Sequence, residues 1–589
     1  MWVYAYDARD VLAGQAESQR AKKRLPMKWY TRAMREAMRA GQESARNANA
    51  SHMFDVGAAR ARIAAFVDEH APDTLAVRPD AGDYEICMKA RRIASDAQLR
   101  TIDMRQDHAL VVARTMCAAY GVDMPDFEDP AEQLARVRCE LWWRRRLRTL
   151  HIRALEHSNV RLHYVHYRSE PYASDDAVRR RIAQNRRNAD TLAAVTLENE
   201  LGQRFTIEQL AAKSISNKAL KRGELMTRLR GCEDLADAAG FAGVMFTLTC
   251  PSRFHAVRQL GARSKFIANK KYDGSSARDG QAYLRTVWAR VRAKLKRDGV
   301  SFFGIRVAEP HHDSTPHWHG LVFSNDVDRF CTVTQAYGLA DAGDERGAQE
   351  RRVRFERIDK AKGSAVGYVA KYIAKNVDGA HVGDHKTQEG YVVQADMFGD
   401  DEITPSQRVE TWAALWGIRQ FQAFGCAPVG VWRELRRVKE VDLPDAAESP
   451  EIFAAWRAAQ KTDEHRADWA EYARAMGGVA GEGRRVYIKH TTEHREGRYG
   501  IRPVKVPHGV AARGVAHIVD GICAYPVETE IFVPATRFEW RVVSRSGAAA
   551  STRTRVNNCT RNGASGTQRV PERAFETPHR PMRTDVLRQ

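Results

Sequence analysis

The sequence predicts an α+β protein built on a split βαβ-type antiparallel sheet with helices, flanked by a mainly helical N-terminal region and a mixed C-terminal region. Three observations predict it. Strand-like and helix-like segments between about 240 and 380 follow the order β, α, β, β, α, β, α. The two middle strands are joined by the short, turn-rich PHHDSTP, which makes them antiparallel neighbours. The texture also changes near Phe241, from Ala-, Arg-, Glu- and Leu-rich helical patterns to β-branched apolar runs.

Taken in order, VMFTLTC (244–250) is β-branched, apolar and closed by Pro251, as a strand should be. A polar loop follows. DGQAYLRTVWARVRAKLKRDG (279–299) has helical spacing and ends at Gly299. SFFGIRVAE (301–309) and HWHGLVF (317–323) are the paired strands, and a helix is expected from about Val327 to Tyr337. RRVRFERI (351–358) alternates charged and apolar residues, the pattern of a strand with one wet face. GSAVGYVAKYIAKN (363–376) closes the series as a helix.

The flanks are expected as follows. Residues 1–239 form a mainly helical, Arg-rich region. In it AEQLARVRCELWWRRRLRTLHIRALEH (131–157) and DDAVRRRIAQNRRNADTLAAVTLENEL (175–201) read as helices. Arg144, Arg145, Arg146 and Arg148 are candidate phosphate contacts, or a solvated helix face. TIEQLAAKSISNKALKR (206–222) has the length of a helix-turn-helix, and equally of two short packed helices. Residues 240–380 are expected to be the α+β domain, 381–440 a helical extension with TWAALWGIRQFQAFG as its apolar part, and 441–543 a mixed region. The stretch 544–589 is rich in Ser, Arg, Thr, Gly and Asn and is expected to be disordered.

Composition narrows the function. Among 589 residues Lys and Arg outnumber Asp and Glu by 94 to 74, a formal charge of +20. That excess favours a polyanion, because neutralising phosphates releases condensed counterions. Nine scattered cysteines include no CxxC pair, against a disulfide framework or a thiolate zinc site. No signal-peptide pattern opens the chain and no apolar run reaches the roughly 18 residues of a membrane span, so a cytoplasmic, non-membrane protein is expected.

Two constellations carry chemistry. The first is EPHHDSTPHWHGLVF (309–323). Side chains alternate along a strand, so His317 and His319 share a face and Trp318 takes the other. The hairpin returns Glu309 beside His317. Two imidazoles and a carboxylate suit a catalytic divalent ion with open positions. His311 and His312, in the turn, are alternatives to Glu309 as third ligand. A bare pair of packed histidines is the bland alternative.

The second is GYVAKYIAKN (367–376). At about 100° per residue, Val366, Val369 and Ile373 form the core stripe, and Tyr368, Lys371, Tyr372 and Lys375 take the opposite side. A phenol loses its proton only near pH 10. Neighbouring ammonium groups favour its ionised form and can steady a phosphate. Together the two motifs describe a site that forms phosphotyrosine.

At these residues a resemblance enters. PHWHGLVF resembles the histidine–hydrophobic–histidine motif of HUH endonucleases. GYVAKYIAKN resembles the two-tyrosine motif of the rolling-circle initiators in that superfamily, and VMFTLTCPSRFH (244–255) their first motif. ISNKALKRGELMTRLRGCEDLA (215–236) and RVETWAALWGIRQFQAFG (408–425) are similar to the replication gene A proteins of P2-like tailed phages, which extends the likeness to roughly 130–435. The resemblance implies an HUH endonuclease core over 240–380 and a divalent metal, Mg or Mn, on His317 and His319 with Glu309 as third ligand. It implies Tyr368 and Tyr372 as nucleophiles, single-stranded origin DNA as substrate and a host replication helicase as partner. The chain itself carries no GxxxxGK[ST] loop for an ATPase motor. A relaxase or single-strand transposase of the same superfamily, a non-catalytic basic DNA-binding protein and a zinc hydrolase are the competing readings.

Overall fold

The computed structural model describes residues 76–377 apart from 78, 80 and 261–264, and 403–545 apart from 445–447, 463–464, 479–484 and 521–522, together with Lys28, Trp29, Arg32, Arg35 and Glu36. The first helices, α1 (Asp83–Thr101), α2 (Gln106–Ala119), α3 (Pro130–Val137) and α4 (Glu140–Arg161), close around Ile93, Trp143 and Leu147. The single helix expected over 131–157 is two. Asp129 caps α3 with Pro130 at its first position, and Arg138 at its end turns away to donate to the Thr101 carbonyl oxygen (2.8 Å). The guanidinium thus satisfies the end of α1, and the chain restarts at Glu140.

α5 (Asp175–Ala194) starts at the Ser174 cap but stops short of the expected Leu201, because Val195–Asn199 is strand β1. β1 pairs with β2 (Arg204–Thr206) on one side and, antiparallel, with Trp540–Arg545 from the far end of the chain on the other. The stretch 206–222 forms α6 (Ile207–Ala212) and the start of α7 (Lys218–Ala238). α7 is a 21-residue helix that buries Leu225, Leu229, Cys232 and Leu235 in the central core.

Then come β3 (Ala242–Thr249), β4 (Val257–Leu260), β5 (Lys265–Ala268), α8 (Ala277–Arg297), β6 (Phe302–Pro310), β7 (Pro316–Ser324), α9 (Val327–Leu339), α10 (Ala348–Arg351), β8 (Val353–Arg357) and α11 (Ala365–Val377). The expected order of strands and helices is present. The stretch expected as a polar loop adds the β4–β5 hairpin. Further on, α12 (Pro405–Trp416) is followed by β9 (Phe421–Phe424), so 411–425 is not one helix. Gly417 takes φ 67°, which ends α12 in the left-handed turn that a helix C-terminus favours.

These strands form one five-stranded antiparallel sheet in the order β8-β3-β7-β6-β9. Val244, Phe246, Leu248, Trp318 and Val322 face α8, α9 and α12. Met245, Ile305, Val307, Leu321 and Phe323 face the other way. They meet α7, α11, α13 (Val429–Leu435), α14 (Pro450–Ala459) and α15 (Trp469–Ala475). At Gly320 any Cβ would fall 2.1 Å from a ring carbon of Phe246, so the close approach of β7 to that ring needs glycine.

Beyond them β10 (Val486–Gly497), β11 (Gly500–Asp520) and β12 (Cys523–Pro534) form an antiparallel meander, and β13 (Trp540–Arg545) returns to β1. The expected disordered tail lies outside the described residues from 546 on; its first two residues, Ser544 and Arg545, belong to β13. Among the described residues no helix is long and apolar enough to cross a membrane.

Candidate metal and tyrosine site

The site grows out of strand register. Across β3, β7 and β6 the sheet stacks three rungs on its α11 side: Met245–Leu321–Ile305, then Thr247–His319–Val307, then Thr249–His317–Glu309. The first rung is apolar and belongs to the core. The last two keep only Val307 as an apolar side chain and bring in two hydroxyls, two imidazoles and a carboxylate. Alternation puts Trp318 on the other face, where it is buried and its indole N–H donates to Gln281 Oε1 (2.9 Å).

Glu309, His317 and His319 each offer a donor atom, and these atoms lie within 4.8 Å of one another; this is the one such cluster among the described residues. His317 Nε2 and His319 Nε2 are 3.0 Å apart. Two nitrogens each about 2.1 Å from one cation, at a right angle, would stand about 3.0 Å apart, so the pair fits a shared ion. On the far side of its ring His319 Nδ1 is 2.9 Å from Thr247 Oγ1. A proton on Nδ1 shared with that hydroxyl leaves the Nε2 lone pair for a cation. Glu309 is 2% exposed and His319 half-buried, so a bound ion would meet little bulk water on the protein side.

The two turn histidines part ways. The His311 ring lies on the His317 ring, centroids 4.0 Å apart and planes at 27°, and braces it. Burial, helped by the charge of neighbouring His255, pulls the His311 pKa down to about 3, so the brace is a neutral ring. His312 points elsewhere and stacks on Tyr172 (5.0 Å). It is therefore not an alternative to Glu309.

Sequence reasoning missed a second pair. His255, just after the first-motif strand, reaches across the turn to Asp313, with Nδ1 donating to Oδ2 at 2.8 Å. Burial alone would raise the Asp313 carboxyl, but the His255 charge and hydrogen bond bring it down to about 2. Burial would lower His255, and Asp313 more than offsets it, so the imidazole is raised. Asp313 also accepts from the Thr315 backbone N–H (3.1 Å), and the Trp412 indole donates to the Ser314 carbonyl (2.8 Å). These bonds hold the turn that carries His311 to His317. The signal available in sequence was an Asp inside a histidine-rich turn.

α11 joins the core on the same side of the sheet through Val366, Val369 and Ile373, the expected stripe, with Ala365 beside them, and it lies against α7 and α12. Tyr368, expected on the opposite side, is half-buried and packs against this core; it stands only about 100° from Val369 and its ring is wide. Lys371, Tyr372 and Lys375 lie on α11, with side chains outside the described residues. Glu233 of α7 caps the helix, accepting from the backbone N–H of Ala365 (2.6 Å) and of Val366 (3.4 Å).

The arginine candidates sit on α4. Arg145 and Arg146 are exposed, Arg146 lies over the Trp142 ring (5.6 Å), and Arg144 is half-buried. Arg148 forks onto the Asp83 carboxylate, which commits it to holding α4 against α1.

Residues 88–380 match the family described as bacteriophage replication gene A protein (GPA). The chain is 37% identical over 450 residues to a protein of Escherichia phage 186 named replication gene A protein, covering 74% of this chain and 60% of that one. It is 36% identical over 350 residues to the probable replication protein P12 of Pseudoalteromonas phage PM2, covering 59% and 51%. It is 33% identical over 306 residues to a Salmonella paratyphi A protein named probable replication endonuclease from prophage-like region, covering 51% and 37%. The chain thus spans between 37% and 60% of the length of these relatives. No solved structure matches it. With the matched region running from the α1 bundle through the histidine strand to the tyrosine helix, the chain belongs to the bacteriophage replication gene A protein family.

Proposed function

We propose that this chain is a single-strand DNA endonuclease and strand transferase with an HUH-type core, which nicks a phage replication origin and initiates rolling-circle replication. One observation carries the reading: the sheet face that presents Glu309, His317 and His319 shares its apolar core with the stripe of the two-tyrosine helix. A relative named for replication endonuclease activity supports it.

Glu309, His317 and His319 would hold a divalent ion, Mg or Mn, which supplies Lewis-acid charge at the non-bridging oxygens of the scissile phosphate. Thr247 and His311 fix the two imidazoles. The phenol oxygen of Tyr368 or Tyr372 bonds to phosphorus, and the P–O3′ bond breaks. The phenolic proton passes through solvent to the departing 3′ oxygen. The DNA is left with a free 3′-hydroxyl that can prime synthesis and a 5′-phosphate esterified to tyrosine. Joining is the reverse: a 3′-hydroxyl attacks the phosphotyrosine and the phenol is restored. Lys371 and Lys375 would steady the phosphate. Positions i and i+4 on α11 stand about 6 Å apart at Cβ, so both tyrosines can serve one phosphate site in turn.

Single-stranded origin DNA is the substrate and a host helicase the partner in this reading. The domain assignment goes with it, 240–380 being the catalytic part. Incubation with Mg or Mn and labelled single-stranded DNA should give a denaturant-stable protein–DNA adduct. Binding with no adduct in either metal would leave a non-catalytic DNA-binding protein instead.

A further inference from the structure

A run of aromatic rings leads away from the metal cluster over the surface. His312 stacks on Tyr172 (5.0 Å, 27°) and meets Tyr167 edge-on (4.9 Å, 72°). Tyr167 adjoins Phe266 of β5 (6.1 Å, 36°), and Phe266 stacks on His166 (5.1 Å, 22°). The inner end is anchored, because His312 follows His311, whose ring lies on His317. Tyr172 is buried, but Tyr167, His166 and Phe266 are half-buried and His312 is exposed, so the run keeps open ring surface. Exposed arginines flank it: Arg168 follows Tyr167, and Arg258 of β4 is the register partner of Ile267, next to Phe266.

Rings of this kind beside exposed guanidinium groups match one chemistry well. Unpaired nucleobases have two open π-faces and a phosphate on every unit. A duplex offers the phosphates but keeps its faces stacked inside. We infer that the Tyr167–Phe266–His312 run is a base-stacking ledge for single-stranded DNA, which seats the strand next to the scissile phosphate. The inference rests on the endonuclease reading for the strand's destination, and the ledge itself does no chemistry. It also gives the β4–β5 hairpin a role: that hairpin brings Phe266 to the loop carrying His166 and Tyr167.

The test uses the full chain, with EDTA to prevent cleavage, and fluorescence anisotropy. The probes are a thymidine oligonucleotide about twenty nucleotides long, an abasic strand of equal length with the same phosphates, and a duplex. The unchanged chain should prefer the thymidine strand to the abasic one. Tyr167→Leu and Phe266→Leu fill the space without a π-face. Each should lose about tenfold in affinity for the thymidine strand and little for the abasic strand or the duplex. Tyr167→Phe should bind as the unchanged chain does. Equal loss on all three probes, which a merely structural aromatic knot would give, overturns the ledge, and so does no loss at all. Adduct formation in metal is read separately. An adduct without ring-dependent preference removes the ledge and leaves the endonuclease. Ring-dependent preference with no adduct does the reverse.

Discussion

His319 depends on Thr247 for its orientation, and His317 depends on His311. Removing the hydroxyl while keeping the shape, Thr247→Val, should weaken Mn affinity about 10–100-fold, the usual cost of losing the partner behind a ligand. Calorimetric titration with Mn checks this without any reaction. His317→Ala and His319→Ala should each abolish both Mn binding and cleavage while single-stranded DNA binding survives; cleavage at the unchanged rate in limiting metal would remove them from the ligand set. The Asp313–His255 pair makes a prediction about stability and pH. Asp313 is depressed, so its contribution is present above its ordinary pKa near 3.9 and is lost as pH falls toward about 2. His255 is raised, so its contribution is complete below its ordinary 6.5 and is lost as pH rises through the raised value. Asp313→Asn should therefore cost most between about pH 4 and 6.5, roughly 2–3 kcal/mol by urea unfolding. That is less than for a fully buried pair, because His255 keeps some contact with water. A cost that does not shrink above that window would show the pair to be unimportant.

α11 is held in place by packing and by a carboxylate from another helix. Glu233→Ala leaves the first N–H groups of α11 without their acceptor. It should cost about 1–2 kcal/mol of stability and slow adduct formation, while Mn affinity stays as it was. A loss of Mn affinity of the same order would mean that Glu233 acts on the whole face instead. The stripe of α11 and the alternation of His317, Trp318 and His319 in β7 were legible because each element keeps its own period over eight or more residues. Glu309 was legible as a neighbour of His317 for the same reason, since a short turn fixes hairpin register. β9 was not: FQAF is four residues long, follows an apolar helix, and is a strand only because the edge of β6 accepts it. β1 was hidden in a helical pattern because one of its two partners, β2, is only three residues long and the other, β13, lies at the other end of the chain. The direction of His312 and the His255–Asp313 contact belong to tertiary packing of turns, where no period operates.

The described residues comprise an N-terminal helical bundle, a five-stranded sheet and a C-terminal meander, in a chain of formal charge +20. Affinity for single-stranded DNA should fall steeply with salt, with a log–log slope of about −0.7 for each phosphate neutralised. A flat dependence, measured by anisotropy, would mean that the arginine-rich faces are only solvated. Removing residues 546–589 should leave cleavage unchanged, since β13 and its pairing with β1 remain; loss of cleavage would bring that stretch into the working part. The proposed reaction joins a tyrosine of α11 covalently to DNA beside the Glu309–His317–His319 cluster. Peptide mass spectrometry of the nuclease-trimmed adduct tests it most directly, on the unchanged chain and on Tyr368→Phe, Tyr372→Phe and the double variant. The nucleotide should be found on Tyr368 or Tyr372, each single variant should retain some adduct, and the double variant should form none. A nucleotide on Tyr337 or any other tyrosine, or an adduct that persists in the double variant, would rule out α11 as the source of the nucleophile.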